Sequence, residues 1–269
     1  MNDLEAFAKL VQALAPWRQQ LVFIGGWGHR LHRLDPRSNK LDYQPVFTRD
    51  TDLAFANKEP MDGDIKQALI QHGFREELRG DHRPPAAHYT LGEEAGGFYA
   101  EFLTPLAGSG RKRDGAADAT MAKAGISAQK IRHLDILLVD PWVISLRRQE
   151  GAFLPERTDI QAVNPLCFMV QKFLIQQYRP ANKRAQDVLY IYDTLELFGA
   201  LLDEFNAHWH ARVAPALGSL ADDVRKLSVQ TFGEVNDMVR DAARIPADRT
   251  LSPEQIQATC RYAFERMLR

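Results

Sequence analysis

Two aspartates spaced i, i+2 stand in the run Thr48-Arg49-Asp50-Thr51-Asp52-Leu53-Ala54-Phe55. Alternate residues of a strand share a face, so Asp50 and Asp52 project together, about 6.5–7 Å apart at Cα for a rise of about 3.3 Å per residue. Carboxylates held that way can bind a magnesium ion. Upstream, the glycine pair of Phe23-Ile24-Gly25-Gly26 closes an apolar strand just before a helix begun at Trp27. Residues without Cβ let backbone N–H groups approach a phosphate at a helix N-terminus. Metal ligands and a phosphate cradle thus fall close together in the chain.

Further charged groups stand in apolar settings. Glu101 lies inside the aromatic, strand-like run Gly97-Phe98-Tyr99-Ala100-Glu101-Phe102-Leu103-Thr104-Pro105, where an acid is costly to bury unless it is paired or coordinates a cation. The alternative is an edge-strand glutamate facing water. Asp135, in His133-Leu134-Asp135-Ile136-Leu137-Leu138-Val139, competes with Glu101 as a third carboxylate. In the second half, Asn164 and Pro165 supply an N-cap and N1 residue to a helix that is apolar nearly all round except at Lys172. A lysine there needs an anion or partner, or must snorkel to water. Asp187 and Asp193 follow on a helix with apolar residues at helical spacing. Lys183 precedes Asp187 by four residues, the less favourable order for an intrahelical pair.

The order hydrophobic-Gly25-Gly26, helix, then Asp50-x-Asp52 on a strand resembles the signature of the polymerase-β-like nucleotidyltransferase superfamily. The lysine helix and the Lys183-x-x-x-Asp187 helix look like those of bacterial nucleotidyltransferase-fold proteins that include the AbiEii abortive-infection toxins. The blocks are scattered over residues 21–197, and their order carries the resemblance. The interval from Gly26 to Asp50 is longer than compact members use, so Leu34 to Val46 is expected to form an inserted loop or hairpin.

The resemblance implies a magnesium-dependent enzyme that moves a nucleoside monophosphate from an NTP to an acceptor hydroxyl. Asp50, Asp52 and Glu101 would be the metal ligands, and Asp50 or Glu101 would accept the hydroxyl proton. Gly25 and Gly26 would contact the β- and γ-phosphates. Lys172 would add a cation to the triphosphate, with Asp187 orienting Lys172 or the acceptor. It further implies an acceptor such as a tRNA 3′ end or other RNA, a toxin or defence role, and a cognate antitoxin protein as partner. Transfer to a small molecule or a protein side chain, or an inactive nucleotide-binding module, are the alternatives, because one fold hosts many substrates.

The elements that must position these residues read as follows. An amphipathic helix runs from Asn2 to Leu14, with capping-box spacing from Asn2 to Glu5, and Pro16 ends it. Asp62 to His72 reads as a helix stopped by Gly73. His88–Leu91 and Phe98–Leu103 read as a hairpin joined by Gly-Glu-Glu-Ala-Gly-Gly. Leu106 to Gln129, which contains Arg111-Lys112-Arg113, has no clear period and reads as a long loop with a solvated basic run. Strand-like runs resume at His133–Val139 and Trp142–Leu146, and the chain is helical from Asn164 onward. Ser252 and Pro253 start the last helix. The expected fold is α/β (α+β): a nucleotidyltransferase-type mixed sheet flanked by helices over residues 1–163, then a helical domain over residues 164–269.

Composition agrees with such an enzyme without selecting it. With 269 residues, 45% of them hydrophobic and 26% charged, the chain can bury a sizeable core. A net charge of −1 implies no global attraction to nucleic acid, so any such binding is local. Cys167 and Cys260 fall on apolar helix faces and read as reduced, buried thiols. The chain has no apolar run of membrane-spanning length and no leader pattern, so a cytoplasmic location is expected. His29 and His32 read as solvent- or substrate-facing, and His208 and His210 as helix-surface residues around Trp209. Without a serine nucleophile elbow or a Walker-type lysine loop, hydrolase and P-loop classes fall away.

Overall fold

The computed structural model describes residues 3–46, 48–56, 61–80, 85–92, 97–112, 115–147 and 156–269. The chain divides into two compact units, Met1–Leu34 with Thr48–Val163, and Asp35–Phe47 with Asn164–Arg269. Among the described residues no helix is long and apolar enough to cross a membrane.

The first unit holds α1 (Asp3–Ala13), β1 (Leu21–Ile24), α2 (Gly25–His32), β2 (Asp50–Phe55), α3 (Ile65–Gln71), β3 (Arg75–Arg79), β4 (Ala86–Leu91), β5 (Phe98–Pro105), β6 (Thr120–Lys123), β7 (Ile126–Ile131), β8 (Trp142–Leu146) and β9 (Thr158–Ala162). The strands form one nine-stranded mixed sheet in the order β3-β4-β5-β2-β1-β9-β8, with β7 pairing both β5 and β6. β2 runs antiparallel to β1 and parallel to β5, while β1 is parallel to β9. Period-2 alternation separates the sheet's faces. Phe23, Leu53, Phe55, Phe98, Ala100 and Phe102 point into a core shared with Phe7, Leu10 and Trp27. Asp50, Asp52, Tyr99 and Glu101 alternate with them and stay partly exposed.

Aromatic packing holds α2 in place. The Trp27 ring stacks on Phe7 at 4.3 Å and meets Phe98 edge-on at 5.7 Å. Gly28 lets the helix approach β1 and its neighbour closely, because a Cβ there would lie 2.8 Å from the Phe23 carbonyl oxygen and 3.0 Å from Val163 Cγ1. The helix begins at Gly25, two residues before the expected start at Trp27.

The second unit contains α4 (Pro165–Ile175), α5 (Ala181–Phe198), α6 (Leu202–His208), α7 (Ala214–Leu217), α8 (Leu220–Phe232), α9 (Asp237–Ala243) and α10 (Pro253–Met267). Its expected caps form: Asn164 Oδ1 accepts from the Leu166 amide at 2.9 Å, and Ser252 Oγ from the Gln255 amide at 3.0 Å. Cys167 and Cys260 are buried and are not joined in a disulfide.

Segment 35–46 is a loop rather than a hairpin, and it is anchored. Asn39 donates its amide to the Leu197 carbonyl and its Nδ2 to the Glu196 carbonyl, both at 2.8 Å. Tyr43 donates to the fully buried Asp193 at 3.3 Å, and Arg249 closes on the same carboxylate. These contacts tie the segment to α5 and to the approach to α10.

Other elements depart from the sequence reading. Two strands, β6 and β7, replace the expected long loop within Leu106–Gln129; they pair with each other, and β7 pairs with the end of β5. The run His133–Val139 is not a strand: Asp135–Leu138 forms a 3-10 turn. β3 and β9 are strands in segments where none was expected. Asn2 of the expected capping box, Arg113 of the basic run and the centre of the expected 92–97 turn lie outside the described residues.

Candidate active site

Strand register brings the three leading carboxylates together. Asp52 and Glu101 are direct Cα partners across the parallel β2–β5 pair, and Asp50 is the partner of Tyr99 one step along the same face. Asp52 is also the partner of Ile24 on β1, the residue before the glycine pair. The turn and the acids are thereby fixed by one hydrogen-bonded ladder.

Gly25 meets Asp52 directly. Its φ is +60°, a left-handed conformation, and Asp52 Cγ lies 3.0 Å from where a Cβ on Gly25 would stand. A side chain would be strained by the backbone and would collide with the carboxylate. No side chain caps the N-terminus of α2, and Gly25 and Gly26 are partly exposed. A helix N-terminus of that kind is where backbone N–H groups can meet a phosphate oxygen.

The electrostatics are those of a crowded anionic surface. Burial, then the charge of Asp50, raises the pKa of Glu101. Burial and the charges of Asp50, Glu101 and Asp52 push the Tyr99 phenol up to about 12. Thr48 Oγ1 donates to Asp50. His88, the Cα partner of Glu101 on β4, places Nε2 at 3.3 Å from Glu101 Oε1 and stacks on Tyr99 with ring centroids 5.5 Å apart. Its pKa is lowered by burial and then by Arg79. Thr48, His88 and Tyr99 were missed by sequence reasoning; strand alternation put His88 on the acid face, but the cross-strand register that pairs it with Glu101 is not a local property.

Three carboxylates on one face are the hard oxygen donors that magnesium takes. Among the described residues, however, no three His, Cys, Asp or Glu side chains converge as they stand on a metal position. Asp50 is engaged by Thr48 and Glu101 faces His88, so convergence needs side-chain rotation about a backbone already in register. Donor chemistry and register fit a divalent cation.

Asp135 is exposed at the start of its 3-10 turn. His29 and His32 are corrected outright: both are fully buried, with rings 5.9 Å apart, and His32 Nε2 donates to the Val163 carbonyl at 2.8 Å. His32 ties α2 to the residue after β9, and neither ring faces solvent.

In the second unit, Lys172 and Asp187 form a buried ion pair of 2.9 Å, with side-chain exposures of 8% and 5%. The lysine therefore does not snorkel, and Asp187 is no surface charge. Arg179, which sequence reading passed over, clamps the same carboxylate through Nε at 3.0 Å and Nη2 at 3.2 Å. The Lys172 ammonium also lies 5.0 Å from the Phe168 ring and 5.2 Å from that of Tyr190. Lys183 bonds instead to Gln186.

A family model described as "Nucleotidyltransferase" matches residues 2–214. None of the curated proteins matches the chain. Among solved structures, the chain is similar to MenT4, a nucleotidyltransferase toxin from Mycobacterium tuberculosis H37Rv, at 16% identity and a TM-score of 0.37, covering 98% of this chain and 82% of that one.

Proposed function

The chain belongs to the nucleotidyltransferase family, and we propose that it moves a nucleoside monophosphate from an NTP to an acceptor hydroxyl at a magnesium site formed by Asp50, Asp52 and Glu101. The observation that carries this reading is the register that makes Asp52 and Glu101 partners, with Asp50 beside them and Gly25 packed on Asp52. Magnesium bound there would neutralise triphosphate charge and acidify the attacking hydroxyl.

The chain's own groups do the rest by positioning and charge. Amides of Gly25 and Gly26 hold the β- and γ-phosphates at the start of α2. Asp50 or Glu101 accepts the hydroxyl proton. The Lys172–Asp187 pair is buried, which supports a fixed rather than a roaming ammonium.

The acceptor we assign is RNA, a tRNA 3′ end first, in a cytoplasmic toxin role with a cognate antitoxin. This part rests on the resemblance of the Lys172 and Asp187 helices to AbiEii-type proteins. Incubating the pure protein with each α-labelled NTP, magnesium and total RNA tests the reading. Label on RNA supports it; label on protein or a small molecule moves the acceptor; no transfer with any of these acceptors overturns it.

A further inference from the structure

We propose that His88 is a positioning residue for Glu101, presenting that carboxylate to the divalent cation. The inference rests on the metal reading above and deepens it.

Three observations carry it. The pairing is built into the backbone, because His88 and Glu101 are Cα partners across antiparallel β4 and β5. The side chains meet, with Nε2 at 3.3 Å from Oε1. The ring itself is held, since it lies parallel to Tyr99 within 5° at 5.5 Å, and Arg79 stands 6.0 Å from the other partner of that stack. A stacked imidazole has little freedom to swing, so its polar edge stays on Glu101.

The ring's other nitrogen sharpens the assignment. His88 Nδ1 is buried and has no hydrogen-bond partner among the described residues. A proton on Nδ1 would leave a buried donor unsatisfied, whereas a proton on Nε2 faces a carboxylate. The neutral Nε2–H tautomer follows. That N–H faces Oε1 across 3.3 Å and would leave Oε2 for the cation, as outer partners of metal-binding carboxylates commonly do.

Nothing in this role requires His88 to touch substrate or metal. Its loss should therefore weaken cation binding while leaving the acid pair on β2 in place. Outer-shell partners of this kind typically change metal affinity or activity by about 10–100-fold.

The test is Mn2+ binding, read from the free-ion EPR signal, alongside the Mg2+ dependence of transfer. His88→Phe keeps the ring on Tyr99 and removes the donor; His88→Gln keeps an N–H donor. The expected result is weaker Mn2+ binding by about tenfold or more for His88→Phe, and recovery of most of it in His88→Gln. Glu101→Gln should gain no further defect from His88→Phe, since the two residues act as one unit. Asp52→Asn separates the two levels. If it loses Mn2+ while His88→Phe and His88→Gln bind as the wild type does, the positioning role is overturned and the metal site stands. If Asp52→Asn binds Mn2+ normally, both fall.

Discussion

Gly25 and Asp52 occupy each other's space: the carboxylate of the second sits where a side chain on the first would be. The glycine of the turn is thus needed for the acid as well as for an approaching phosphate.

Gly25→Ala should accordingly damage both stability and chemistry. A left-handed non-glycine residue costs about 1–2 kcal/mol, and each kcal/mol lowers Tm by roughly 2–4 °C in a unit of this size. The displaced Asp52 should cut transfer further than the Tm loss explains. Melting curves and initial rates measured together check this; full activity at a lowered Tm would show that Asp52 has not been moved.

Asp50→Asn and Asp52→Asn should each lower transfer by on the order of 10³, the equivalent of several kcal/mol of lost charge stabilisation. Tm without metal should be unchanged or slightly higher, because clustered like charges repel when no cation is present. Normal turnover by both variants would contradict the assignment.

The pH dependence of stability carries the mark of Glu101. Its folded-state pKa is raised by burial and then by Asp50 above the ordinary 4.5. The folded protein thus holds this proton more tightly than the unfolded chain does. The contribution is fully present below about 4.5 and is lost as pH rises through the raised value. In metal-free melts, Glu101→Gln should become progressively more stable relative to wild type as pH climbs through that window. Parallel curves would mean that Glu101 titrates normally.

Lys172→Ala leaves Asp187 buried with Arg179 alone. Breaking a buried pair costs about 3–5 kcal/mol, and the remaining guanidinium clamp should hold the loss near the lower end. Transfer should fall as well. Lys172→Arg keeps the charge but places a planar, bulkier head among Phe168 and Tyr190 and should not restore the wild-type rate. Lys183→Ala should change stability by no more than about 0.5 kcal/mol. Denaturant midpoints and NTP affinities separate the three.

Arg249→Ala should remove the cation from the fully buried Asp193, again at about 3–5 kcal/mol, and loosen segment 35–46. Limited proteolysis reads this as faster cleavage there. An unchanged cleavage pattern would show that Asn39 and its carbonyl partners suffice to hold the segment.

These residues also show which features a single sequence reveals. The Gly-Gly turn, the Asp-x-Asp strand, the aromatic strand around Glu101 and the caps at Asn164 and Ser252 were legible because each is set by neighbours in the chain. β3 was not, since Arg75-Glu76-Glu77-Leu78-Arg79 has little strand propensity and is a strand only through pairing with β4. β9 is short and lies beside β1 from far along the chain. The burial of His29 and His32, the Arg179 clamp and the anchoring of Tyr43 are likewise non-local. Each depends on packing that periodicity within one element does not contain.

A crystal structure with Mg2+ and a non-hydrolysable NTP tests the central claim most directly. Carboxylate oxygens of Asp50, Asp52 and Glu101 should lie about 2.0–2.1 Å from magnesium, with the β- and γ-phosphates on the amides of Gly25 and Gly26. Magnesium held through Asp135, or a nucleotide bound away from β2 and β5, would contradict it.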